Sequence, residues 1–176
     1  MTTLAWLFLS DKQFDAAEET TTRAIASFPE EGQEFLLCRA HRLLGGIYRC
    51  KREREKAIHH FQTALEIASV QTWRSQLFWI HYELAWLFRD QDDFDDAHDR
   101  IEQAKSYADD SAYDLGRATE MHARIWYQQG RLDDARSEAL HAIETYEKIG
   151  ASGVDMEKCK NLLGQIERAM KDRPTN

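Results

Sequence analysis

Arg39, Arg42, Gly46 and Arg49 lie at the offsets of one helix stripe. At a step of 40 the same offsets read Trp79, Tyr82, Trp86 and Arg89, and at a further step of 38 they read Arg117, Glu120, Arg124 and Tyr127. Spacings of three and four residues keep such side chains on one side of an α-helix. Arginine offers a planar fork that fits carboxylates and phosphates two bonds at a time, and it stacks on aromatic faces. Arginine with tryptophan and tyrosine is also the set enriched at interaction hot spots. The chemistry these residues can do is recognition of an acidic group beside an apolar one.

Catalytic and metal-ligating patterns are missing. His59 and His60 are adjacent, so on a helix they point roughly 100° apart and share a tetrahedral ion poorly. His41 and His81 share a column that borders the core, and His122 takes a column held elsewhere by Leu44 and Leu84. Gly45-Gly46 lacks the GxxxxGK pattern of a phosphate loop, and no HExxH or GxSxG occurs. Asp92 to Asp96 lacks calcium-loop spacing and reads as a solvated turn. The expectation is no enzyme, no cofactor and no metal site.

The bulk composition agrees. The chain has 176 residues, 43% hydrophobic and 31% charged, with formal net charge -8. That balance suits a soluble domain and disfavours general binding to nucleic acid or anionic membrane. Two prolines and eight glycines over this length favour helix throughout. Cys38, Cys50 and Cys159 have no CxxC spacing and fit reduced thiols, so a cytoplasmic location is expected. No apolar run reaches the ~20 residues of a membrane span.

The elements that position the stripe come from a repeat. Ala17, Ala57, Ala97 and Ala135 recur at steps of 40, 40 and 38. Ala24, Ala64, Ala104 and Ala142 follow them. Ala5, Gly45, Ala85 and Ala123 precede them, and Phe8, Tyr48, Phe88 and Trp126 stand three residues after those. A fixed period of this size indicates stacked supersecondary units. Each unit reads as two helices joined by a polar turn: Lys51 to Glu53, Asp90 to Asp93, and Gln129 to Arg131. Gly130 suits a left-handed helix end, and Asp109-Asp110-Ser111 supplies an N-cap. A last helix over about 153–171 has one apolar face, from Val154, Cys159, Leu162, Leu163 and Ile166, as a terminal cap requires. The spacing predicts one domain over 1–172, with units near 1–29, 30–69, 70–109 and 110–150 and a tail at 173–176.

Leu44-Gly45-x-x-Tyr48 followed by Ala57-x-x-x-Phe61-x-x-Ala64 resembles the tetratricopeptide repeat, and Pro29 matches the proline that closes its second helix. The repeat is longer than the usual ~34 residues. It is similar to the arrays of about 40 residues attached to multidomain signalling ATPases. The resemblance implies an all-α, right-handed α-α superhelix of four helix pairs, a solenoid whose first helices line a concave groove, and partner binding without catalysis. It places the stripe in that groove: Trp6, Arg39, Arg42, Arg49, Trp79, Tyr82, Trp86, Arg89, Arg117, Arg124 and Tyr127.

The expected partner is an acidic, extended peptide with a hydrophobic side chain near Trp79, Tyr82 and Trp86. The alternative occupant is single-stranded nucleic acid or a phosphate ligand. A competing reading has the arginines pair with Glu83 or Glu120 and only brace the array. The first unit lacks about ten helical residues present in the others, leaving Trp6, Leu7 and Leu9 as an open end for self-association.

Overall fold

A computed structural model describes residues 13–27, 32–108 and 111–172. Among the described residues there are eight helices: α1 Phe14–Ala26, α2 Glu34–Cys50, α3 Arg54–Val70, α4 Arg74–Arg89, α5 Phe94–Tyr107, α6 Ala112–Gln128, α7 Leu132–Lys148 and α8 Val154–Lys171. They form two compact units, Met1–Leu87 and Phe88–Asn176, the division falling within α4. Trp6, Leu7, Leu9, Pro29, Asp109, Asp110 and the tail at 173–176 lie outside the described residues.

The repeat columns are the core columns. Ala57, Ala97 and Ala135 are fully buried, as are Ala64, Ala104 and Ala142. In the first unit α1 packs on α2, and α2 on α3. A side chain at Gly45 would meet the Phe61 ring, its Cβ falling 2.6 Å from Cδ1, so this position stays small. In the second unit α5 packs on α6, α6 on α7, and α8 against α6 and α7. Gly116 faces the Tyr146 ring in the same manner, with an added Cβ 2.8 Å from Cε1. Cys159, Leu162 and Ile166 of α8 are buried, while Glu157, Lys158 and Lys160 on its other side are exposed, as a capping helix requires.

The turns repeat as well as the helices. Arg52, Asp92 and Gly130, again at steps of 40 and 38, all have positive φ. After each, an N–H reaches back to close the preceding helix: Glu53 to the Tyr48 carbonyl, Asp93 to Phe88 and Arg131 to Trp126, at 2.9, 3.0 and 2.9 Å. This six-to-one bond is the Schellman closure. Ser111 caps α6, its hydroxyl accepting from the Asp114 N–H at 3.1 Å.

Candidate partner-binding surface

In the first unit α2 supplies Arg39, Arg42 and Arg49, and α4 supplies Trp79, Tyr82 and Trp86. The two helices meet through them. Arg42 Nη1 lies 3.4 Å from Glu83 Oε1, and its guanidinium lies 5.9 Å over the Trp79 ring. Arg49 sits 5.2 Å over the Trp86 ring. Gly46 leaves the space beside Glu83, since a Cβ there would lie 3.6 Å from its Oε2. The Arg42 and Glu83 side chains are only 11% and 17% exposed. Burial pulls the Arg42 pKa down and Glu83 opposes it; an arginine keeps its charge in any case. Arg39 lies 5.9 Å over Phe35. Trp79 and Trp86 are half-buried, whereas Tyr82 is buried beside Phe78 and Trp79. The result is an arginine–indole ladder with one carboxylate inside it.

The second unit places its residues separately. Arg89 Nη2 pairs with Asp90 at 2.7 Å, and its Nη1 lies 3.7 Å from Met121 Sδ. Gln128 donates to the Arg89 carbonyl and to Asp92. Arg124 pairs with Glu120 on its own helix. Arg117 is half-buried, and Tyr127 packs against the cluster of Ala123, Leu132 and Ile166. The pairs Arg42–Glu83 and Arg124–Glu120, expected of a bracing role, both form. Trp6 lies outside the described residues.

Two histidine contacts were not foreseen. His41 Nδ1 meets His60 Nδ1 at 3.0 Å, and His98 Nδ1 meets His122 Nε2 at 2.9 Å. Both join different helices, which periodicity within one helix does not show. The only local signal is that His98 and Lys105, seven apart, share a face of α5. Among the described residues no three His, Cys, Asp or Glu side chains gather as metal ligands. Burial pushes the Cys38 and Cys159 thiols up, to about 11 and about 12, so both are poor nucleophiles.

Comparison with known proteins agrees with this architecture. The tetratricopeptide-repeat family model matches residues 36–109. No curated protein matches the chain. Among solved structures, aspartyl phosphate phosphatase F from Bacillus subtilis superposes with TM-score 0.83 at 19% identity, over 97% of this chain and 46% of that one. BtubC from P. vanneervenii gives 0.69 at 18% identity, over 98% and 80%. The apo form of RapI gives 0.77 at 13% identity, over 96% and 47%. The chain thus spans about half the length of two of these three. At such identities the likeness is one of fold, an all-α helical-repeat superhelix. Residues 36–109 match the tetratricopeptide-repeat model, and the helices on either side of them belong to the same helical-repeat fold.

Proposed function

We propose that the chain is a non-catalytic, cytoplasmic protein-interaction module that takes an acidic peptide segment along its first helices. The observation that carries this reading is the ladder of Arg42, Trp79, Arg49 and Trp86. These cations lie over half-buried indole faces, in a chain whose formal net charge is -8. Partner carboxylates would pair with the arginines, and an apolar side chain would lie against the indoles. Tyr82 supports the wall from within, and Arg89, Arg117, Arg124 and Tyr127 are the second unit's own contribution to partner contact. Self-association through Trp6, Leu7 and Leu9 belongs to the same reading.

Binding of an array of acidic peptides, each with one aromatic residue, tests it. Arg49→Glu and Trp86→Ala should each weaken the best peptides by roughly tenfold or more, the size of a hot-spot loss. Unchanged binding in both variants overturns the reading. So does preferential capture of single-stranded nucleic acid with a steep salt dependence.

A further inference from the structure

The second unit contains a chain of hydrogen bonds with a fixed direction. Lys105 Nζ lies 2.7 Å from His122 Nδ1, His122 Nε2 lies 2.9 Å from His98 Nδ1, and His98 Nε2 lies 3.2 Å from Gln129 Oε1. An ammonium has only donors. Lys105 therefore donates to His122 Nδ1, which leaves the His122 proton on Nε2, where it is donated to His98 Nδ1. His98 then carries its own proton on Nε2 and donates it to the Gln129 carbonyl oxygen. Every link is satisfied when both imidazoles are neutral Nε2–H tautomers. The chain joins α5, through His98 and Lys105, to α6, through His122, and to the turn after it.

An added proton must displace a donor in this arrangement. On His98 Nδ1 it would face the His122 Nε2–H; on His122 Nδ1 it would face the Lys105 ammonium. The His122 side chain is 8% exposed, so water cannot readily replace a broken link. The Trp126 ring covers the pair, with centroids 3.7 Å from His98 and 5.3 Å from His122. Burial, with His122 and Arg131, pulls the His98 pKa below its ordinary value against the opposing effects of Gln129 and Asp95.

Charged and polar groups surround the pair. From α5, Asp95, Glu102 and Lys105 face the pair; from the α6–α7 turn, Gln129 and Arg131; from α7, Glu138. Glu102 and Glu138 lie 3.3 and 3.2 Å from His122 Nδ1, and both also hold Lys105. Burial disfavours the Glu138 charge, but His122 and Lys105 outweigh it and hold the carboxyl below its usual range. Two carboxylates therefore stand beside the Lys105–His122 link.

The geometry points to an acid-sensitive latch between α5 and α6. Uptake of a solvent proton by the pair breaks a link of this chain, the rings part, and α5 loosens from α6 and α7. Side-chain 15N NMR and amide exchange on the full chain test this. At pH 7.5 both histidines should appear as Nε2–H tautomers. Between pH 7 and 5 the protection factors of α5 should fall by about tenfold or more, a local opening short of unfolding. His98→Gln and His122→Gln should each remove that pH step. An Nδ1–H tautomer at either histidine overturns the proposal without any variant. A pH-invariant α5, or the same fall retained in both variants, overturns it too.

Discussion

At Gly45 a single missing carbon sets how close α2 comes to Phe61. An added methyl would sit 2.6 Å from two atoms of a fully buried ring, which has little room to yield. Gly164 in α8 is the control, since a Cβ there meets nothing within 4 Å. Alanine is the better helix former by about 1 kcal/mol, so propensity alone predicts that both replacements stabilise. The clash reverses the sign at Gly45. In urea unfolding, Gly45→Ala should lower stability by about 1–3 kcal/mol, while Gly164→Ala should raise it by up to about 1 kcal/mol. Stabilisation at Gly45 would mean that Phe61 is not the barrier. The sequence marks Gly45 as a close-packed position because it shares a column with Ala5, Ala85 and Ala123. It does not reveal that the neighbour is Phe61, which belongs to the next helix.

Between elements, α1, α2 and α3 are linked by side chains that respond to acid. The Tyr48 hydroxyl donates to Glu18 at 2.7 Å, Lys51 pairs with Glu18 and Asp15, and the His60 ring stacks on Tyr48 with centroids 5.3 Å apart. Burial, then His41 and His59, push His60 down to about 4. Its unfolded value is about 6.5. Between these two values the unfolded chain holds a proton that the folded chain lacks, so stability rises with pH through that window and is flat above it. Thermal melts should therefore show a lower midpoint at pH 5 than at pH 7.5. His60→Gln should shrink that difference, and an unchanged difference would remove His60 from the account. Helices and turns at this scale are largely legible: the expected turn at Lys51 to Glu53 is the gap between α2 and α3. The backbone of those turns is not. Gly130 announces a positive φ, but Arg52 and Asp92 adopt it in the same column without any residue signal. The histidine pairs are hidden for a related reason: partners 19 and 24 residues apart meet only through the register of packed helices.

For the whole molecule, sequence and structure divide the charge by helix type. Asp92, Asp95, Asp96, Asp99 and Asp133 are exposed at turns and on second helices, whereas Arg42, Arg49 and Arg124 are half-buried on first helices. That separation is legible from the repeat columns alone. The pairing of Arg42 with Glu83 and of Arg124 with Glu120 reduces the positive charge a partner meets, and it was legible only as a competing possibility. The central claim is that the Arg49–Trp86 and Arg42–Trp79 contacts face a partner. The indole N–H signals of 15N-labelled protein, followed as an acidic peptide with one aromatic side chain is added, test it most directly. The account predicts that the Trp79 and Trp86 signals shift and saturate while those of Trp73 and Trp126 stay in place. Stationary Trp79 and Trp86 signals at saturating peptide would contradict it.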